Sequence, residues 1–324
     1  MTLNGILTTR NYNTWPSYDI VYEWEDIIAN KLTLSLIEEN EILTNRIIRC
    51  VPYLGKVIQT NINTFTYEMF PTLKNRYNNK KNIIPCIIDF YLKENDFEKF
   101  TKSYLNNQLI CISSKEVYEL LKKSSICKSL NIAHLPLSIS DKYRITPTTY
   151  FDKKYDLVLM GRQNPVLESF LEKYLREHKD LNYVYRVQKN DEFLYYNSKG
   201  ECLGNINTRE KYISLMKKAK CGLYATPGID GGEKRTNGYN QVTPRFLELV
   251  ACGCHIIARY PQNPDTEYYE LANFSKSINS YDDFEKALDF ARNNDVCMTK
   301  YSKYLEQHYT TKRTKELFNL ILNI

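Results

Sequence analysis

The chain has 324 residues, 43% hydrophobic and 25% charged, with a formal net charge of +6. These values fit a globular protein of two ordinary domains or one large one, and exclude a disordered or fibrous chain. The densest basic stretches, KNRYNNKK (74–81) and KKAK (217–220), are short. No nucleic-acid partner is therefore expected; the basic stretches read first as solvated faces, with a weak attraction for anionic membrane surface or phosphorylated substrates as the alternative.

Nine cysteines at positions 50, 86, 111, 127, 202, 221, 252, 254 and 297 form no C-x-x-C pair and no His-rich cluster. The odd count and the scatter point to a reducing cytoplasm, with no disulfide framework and no metal site. Cys252 and Cys254, around Gly253, read as small buried residues at a helix end. The opening MTLNGILTTRNYNTW lacks the basic segment and apolar core of an export signal, and no apolar run approaches the ~20 residues that span a bilayer.

In chain order, a strand is expected near 4–8 and a helix over 17–40, where Ile20, Trp24, Ile27 and Ile28 recur at helical spacing. NIIPCIIDFYL (82–92) is a further apolar run whose Pro85 is expected to mark its start. QLICISS (108–114) reads as a buried strand, Ser113 or Ser114 as an N-cap, and KEVYELLKKS as a helix. LNIAHLPLSI (130–139) is one more strand, and the polar stretch 138–154 is the expected interdomain linker. Beyond it come a strand and Gly-Arg turn in YDLVLMGR (155–162) with a helix to about 178, and a strand over 181–187. A helix over 208–220, a strand in CGLYATPG (221–228), a helix over 244–252 and a strand over 254–259 follow. A capped helix starts near 280, and a helical tail occupies 301–324. Strand–helix alternation in both halves implies an α/β fold of two Rossmann-like domains facing across a cleft. The domains run over 1–145 and 150–300, with the tail crossing back to the first.

The chemistry concentrates in VTPRFLELVACGCHII (242–257). Thr243 suits an N-cap, Pro244 the first helical position and Gly253 the left-handed position past the end. The helix thus begins at the carboxyl edge of the sheet, where its free N–H groups favour an anion. Arg245 and Glu248 lie at i, i+3 on one face, with apolar residues covering the rest. Such a pair matches a nucleoside diphosphate, the guanidinium on phosphate and the carboxylate on ribose hydroxyls; a plain ion pair closing the helix end fits the spacing equally well. Gly161 and Arg162 form a second candidate anion turn. Lys220 and Arg186, at strand edges, are further candidates for the crevice. The loop 226–241, with Gly228, Asp230, Glu233, Lys234 and Arg235, suits close backbone contact with hydroxyls and phosphate, or is a surface loop.

RFLELVACGCHII is similar to the donor-binding signature of GT-B glycosyltransferases, in which a glutamate precedes a small-residue helix end and a strand follows. YDLVLMGR resembles the opening strand and turn of the same C-terminal domain, and ICISSKEVYELLKKS…NIAHLPLSIS the end of the N-terminal domain and its hinge. The R-x-x-E-x-x-A-C-G form is nearest the group 1 glycosyltransferases that include spore-maturation CgeB-like proteins. The resemblance covers about 105–300 and implies metal-independent transfer from a nucleotide-diphosphate sugar to a glycan, lipid-linked or protein acceptor. No other cofactor is implied, and the expected location is the cytoplasm, at the inner face of the membrane where the acceptor is lipid-linked. It makes Glu248 the ribose ligand, and Arg245 and Arg162 the cations on the leaving diphosphate. Gly161, Thr243, Gly228 and Asp230 complete the donor site. The first glutamate of the family's E-x7-E pair falls at Asn240, so that motif is broken at a position counted among the catalytic ones. Base recognition is expected from 186–190 and 203–207. An inverting reaction would need a base from the first half, for which Asp19, Glu23, Asp26 and Asp89 are equivalent, and His134 lies nearest the hinge. A non-catalytic nucleotide-sugar binder and a scaffold subunit of the same fold remain alternatives.

Overall fold

The computed structural model describes residues 2–38, 63–73, 82–189 and 192–324. The basic stretch 74–81, Cys50, Gly55, the last two residues of the helix expected over 17–40 and the end of the 186–190 loop lie outside the described residues. The chain divides into two compact units, one of Met1–Asp141 with Tyr309–Ile324, the other Lys142–His308. The division falls inside the polar stretch 138–154.

The first unit carries a parallel sheet of β1 (Gly5–Thr8), β2 (Ser35–Glu38), β3 (Thr64–Glu68), β4 (Ile83–Ile87), β5 (Ile110–Ile112) and β6 (Ile132–His134), in the order β2-β1-β3-β4-β5-β6. The strands β1, β4 and β5 are apolar and almost wholly buried because both faces are covered, whereas the edge strand β2 is largely exposed. The helices α1 (Asp19–Leu32), α2 (Phe97–Tyr104) and α3 (Lys115–Lys123) supply part of that cover. Here α1 is shorter than the expected 17–40. Thr33 takes the left-handed conformation at φ 54°, and Leu34 and Leu36 then alternate at period two to form β2.

Pro85 is a second correction: it sits in the middle of β4, which is an interior strand. Even-numbered residues of β4 hydrogen-bond toward β3, as Ile88 N–H does to Glu68 O. Odd-numbered ones face β5, whose pairing begins only at Cys86 and Cys111. The N–H that proline lacks therefore has no ladder partner to lose. At α3, Ser114 is the cap, accepting from Val117 N–H, while the Ser113 hydroxyl donates to Ile88 O at 2.6 Å.

The second unit has β7 (Tyr155–Val158), α4 (Pro165–Glu177), β8 (Tyr183–Lys189), β9 (Glu192–Asn197), β10 (Cys202–Asn205), α5 (Arg209–Lys217), β11 (Ala219–Ala225), α6 (Pro244–Ala251), β12 (His255–Arg259), α7 (Pro264–Tyr268), α8 (Tyr281–Asn293) and α9 (Met298–Leu305). The sheet order is β10-β9-β8-β7-β11-β12, parallel except for the antiparallel run β8-β9-β10. The β9–β10 hairpin was not expected. Its signals are the alternation in EFLYYN and Gly200 at φ 83° in the turn. The helix expected over 208–220 stops at Lys217, because Ala219 and Lys220 already belong to β11. Cys252 and Cys254 are fully buried with free thiols. At α8, Ser280 and Asp283 form a reciprocal capping box.

The last helix, α10 (Thr310–Leu322), belongs to the first unit again. It packs along α1 and puts Leu317 and Ile321 into a core with Ile6, Ile28, Phe65 and Ile84. Arg313 is buried there and pairs with Glu316 at 2.9 Å. No helix among the described residues is long and apolar enough to cross a membrane.

Within the first unit, Glu25 on α1 is buried against the end of β1. It accepts from the Thr8 hydroxyl at 2.7 Å and lies 3.3 Å from Arg10, which also pairs with Asp26 at 2.8 Å. Burial raises its carboxyl from 4.5 to about 7, against the opposing pull of Thr8 and Arg10. The folded state thus holds a proton that the unfolded chain releases, so stability falls as pH rises from 4.5 to about 7 and levels off above. Glu25→Gln should flatten this slope, becoming more stable relative to the parent at about pH 8 than at about pH 5. Urea unfolding followed by tryptophan emission measures it in this unit, since both tryptophans, Trp15 and Trp24, lie here.

Candidate functional site

In the second unit β7 has β8 on one side and β11 on the other. The strand order reverses there, and the crevice outside the carboxyl ends of β7 and β11 is where open α/β sheets bind ligands. Helices α4, α5 and α6 each follow a strand that runs parallel with β7, so all three begin at this edge.

The helix α6 is held firmly at both ends. Thr243 has N-cap dihedrals, but its side chain makes no capping bond, contrary to expectation; its N–H donates to the Tyr224 hydroxyl at 3.0 Å. Pro244 takes the first helical position. At the other end Gly253, at φ 60°, donates to Val250 O and Cys254 to Leu249 O, both at 3.0 Å, which is a Schellman closure. Gly222 on β11 lets α6 approach, since a Cβ there would meet Leu249 Cδ2 at 2.5 Å.

Arg245 points from the first turn of α6 to the β7–α4 turn. Its Nη1 donates to Arg162 O at 3.0 Å, and Tyr212 on α5 lies near enough to favour its charged form. Its Nε is buried without a hydrogen-bond partner. Burial works against its charge, but Tyr212 and Glu248 outweigh that and its pKa is raised. Gly161 sits at φ 65°, and a Cβ on it would lie 2.1 Å from Arg245 Nη2. The space that glycine opens is therefore taken by the guanidinium.

The i, i+3 ion pair on α6 does not form. Glu248 pairs with Arg209, the first residue of α5, at 2.6 Å between Nη2 and Oε1, with the side chains only 10% and 5% exposed. The Arg209 guanidinium also lies 5.8 Å from the Tyr143 ring and 5.6 Å from that of Tyr212. Sequence reasoning missed Arg209, though a signal existed: a cation directly after the N-cap Thr208 opposes the helix dipole, so something else must hold it.

The loop 226–241 closes over the same turn. Arg162 contacts the Glu233 carboxylate, which Arg235 also reaches at 3.4 Å. Gly228 closes the loop, because a Cβ there would lie 2.3 Å from Tyr239 O. Asn240 accepts from the Thr226 hydroxyl and donates to Gly238 O, both at 2.8 Å, so its amide serves the loop. Asp230 is held by Arg259 at 2.6 and 2.8 Å and by Asn164 at 2.9 Å, which lowers its carboxyl pKa. Asn164 in turn caps α4, a link between loop and helix that sequence spacing does not reveal.

Arg162, Arg209, Arg235 and Arg245 come together here with two carboxylates, Glu233 and Glu248. Such an arrangement suits an anion, and the Arg245 Nε has a donor to give it. Other candidates lie elsewhere. Lys220 is at the amino end of β11, donating to Arg292 O and pairing with Asp156 at 3.6 Å, and Arg186 stacks 4.5 Å over Phe193. In the first unit, His134 bonds Ser113 O at 3.2 Å, and burial lowers its pKa to about 3. Asp26 pairs with Arg10, and the buried carboxyl there is Glu25, which was not among the candidate bases. A groove of about 580 Å³ between β10 and α5 takes in Leu203, Gly204, Asn205 and Ile206, part of the segment expected to read the base, but none of the four arginines.

No family model and no curated protein matches the sequence. Solved structures match it in fold. The chain aligns with a GtfA/B complex at TM-score 0.50 and 11% identity, over 84% of this chain and 59% of the other. It aligns with the pneumococcal O-GlcNAc transferase GtfA, solved with UDP and GlcNAc, at TM-score 0.50 and 10% identity, over 83% and 58%. The chain thus spans less than two thirds of the length of these structures. At such identities the likeness is one of fold, and the fold is that of GT-B glycosyltransferases.

Gly161→Ala should combine left-handed strain, ~1–2 kcal/mol, with displacement of Arg245. Gly204, at φ 93° with nothing within 4 Å of the place a Cβ would take, isolates the first effect. Chemical unfolding followed by circular dichroism should show the larger loss for Gly161→Ala than for Gly204→Ala.

Proposed function

We propose that the chain is a glycosyltransferase that moves a sugar from a nucleoside diphosphate donor to a glycan, lipid-linked or protein acceptor. The observation that carries this reading is the gathering of arginines at the β7/β11 switch point, with a buried, unpartnered Arg245 Nε. The second unit would bind the donor. Arg245 and Arg162, with the first turn of α6, would hold the diphosphate, and Glu248 would accept from the ribose hydroxyls.

In this reading the bond from the anomeric carbon to the diphosphate oxygen breaks while an acceptor hydroxyl oxygen bonds to that carbon, and the nucleoside diphosphate and the hydroxyl's proton are released. Charge building on the leaving oxygens is met by guanidinium groups already in place, which lowers the barrier without reorganisation. The cluster supplies this charge without a divalent ion, so the transfer is proposed to be metal-independent. The first unit is assigned to the acceptor. We place the reaction in the cytoplasm, at the inner membrane face for a lipid-linked acceptor, and within the group 1, CgeB-like set that the signature resembles. One fold neighbour is an O-GlcNAc transferase solved with UDP, which makes UDP the first nucleotide to try.

A second reading, a nucleotide-sugar binder without turnover, is favoured by one observation. Asn240 stands where the resembling family has a glutamate, and its amide is engaged by Thr226 and Gly238.

Calorimetry with a panel of nucleotides should show diphosphate binding that Glu248→Ala and Arg245→Ala each weaken by about tenfold or more, the loss of a charge-assisted hydrogen bond. A protein that binds none of the panel sinks both readings. Release of nucleoside diphosphate from sugar donors, undiminished by a chelator, selects the transferase; binding without release selects the binder.

A further inference from the structure

We propose that Arg209 is the positioning residue of the site: it turns Glu248 away from Arg245 and toward a ligand bearing vicinal hydroxyls. The inference rests on the nucleoside diphosphate reading and adds the residue that sets the site's preference for ribose. Two cations compete for Glu248. Arg245 lies at i−3 on the same helix, the spacing at which ion pairs form on a helix surface. Arg209 comes from α5, and it has the carboxylate, at 2.6 Å from Oε1.

Two consequences follow from that choice. The first concerns Arg245. With Glu248 bound elsewhere, Arg245 keeps its charge for the β7–α4 turn, where its Nη1 meets Arg162 O and its Nε has no partner. Had Glu248 paired with it, the cluster would have lost the cation nearest Gly161. The second concerns Glu248 itself. A carboxylate offers two oxygens with about four lone-pair sites, and Arg209 occupies Oε1. Oε2 has no hydrogen-bond donor among the described residues and is not sealed from solvent, although Glu248 as a whole is only 4% exposed. An accessible carboxylate oxygen with no protein donor is open to donors from a ligand. Two neighbouring hydroxyls of a ribose are such donors.

Arg209 is itself held for this task. Its position at the start of α5 is unfavourable for a cation by the helix dipole. The carboxylate of Glu248 and the faces of Tyr143 and Tyr212 compensate. Tyr212 also favours the charged form of Arg245, so one aromatic residue acts on both guanidinium groups.

The test uses the whole chain and three probes in calorimetry: pyrophosphate, uridine diphosphate and 2′,3′-dideoxyuridine diphosphate. In the parent, uridine diphosphate should bind about tenfold or more tighter than the dideoxy analogue. Arg209→Met should abolish that preference. It should also weaken pyrophosphate by about tenfold, because Glu248 then turns to Arg245. Arg209→Met with Glu248→Gln removes both buried charges, which guards against a variant that fails to fold. This double variant should recover parental pyrophosphate affinity while the ribose preference stays lost. Arg209→Lys should retain part of the preference. A merely structural arginine would change the affinities of all three probes in parallel. Parental ribose preference in Arg209→Met, or in the double variant, overturns the proposal while leaving the nucleotide reading intact. A parent that binds neither uridine diphosphate nor pyrophosphate overturns both.

Discussion

The guanidinium of Arg245 rests against the backbone at Gly161, and the organisation of the second unit's crevice follows from that contact. It requires a residue without Cβ at the end of β7, a left-handed backbone to turn toward α4, and a helix α6 whose first turn faces the turn after β7. It also requires α6 to lie close on the sheet, which Gly222 permits, and to stop cleanly before β12, which Gly253 achieves. Three glycines far apart in the chain thus serve one arginine, each for a separate steric reason. The charge they help to place would be neutralised if Glu248 were free to reach it. Arg209 is the element that keeps the two apart.

Around this centre the loop 226–241 is tied down by its own polar groups rather than presented to solvent. Asp230 joins Arg259 on β12 to the cap of α4, Asn240 bridges the two ends of the loop, and Glu233 gathers Arg162 and Arg235. Residues that looked like ligand contacts by type are thereby divided. Some hold the loop, and others, chiefly Arg245 and Glu248, keep donor or acceptor capacity in reserve. A buried arginine nitrogen without a partner is unfavourable alone, and a carboxylate oxygen without a protein donor is open to a ligand. Their presence on one helix turn, at a switch point, is what gives the site its chemical direction.

Much of the fold was legible because its signals are local. Ser114, Asn164, Ser280 and Gly253 mark helix ends through bonds within a few residues, and the apolar runs at 5–8, 110–112 and 255–259 are strands covered on both faces. Where local signals compete, sequence reading failed. Leu32, Leu34 and Leu36 fit a strand as well as Leu32 and Ile28 fit a helix, and only the left-handed Thr33 separates them. Pro85 lies inside an interior strand because its missing N–H faces a stretch of β5 that is not yet paired, a fact about the neighbour. The hairpin β9–β10 was overlooked because its turn is longer than the two-residue kind.

By itself the sequence determined the α/β alternation, the helix that begins at Pro244 and closes before Gly253, and the residue types that suit a diphosphate and a ribose. Those follow from periodicity, capping and side-chain chemistry, which act within a few residues. Only the tertiary structure decided which charge meets which. Glu248 has Arg245 three residues away but binds Arg209, thirty-nine residues earlier in the chain, and Asp230 binds Arg259 across two strands' connection. The reason is physical: a buried ion pair is selected by the geometry of two packed helices and the desolvation each partner must share, and neither quantity is written in the spacing along one helix.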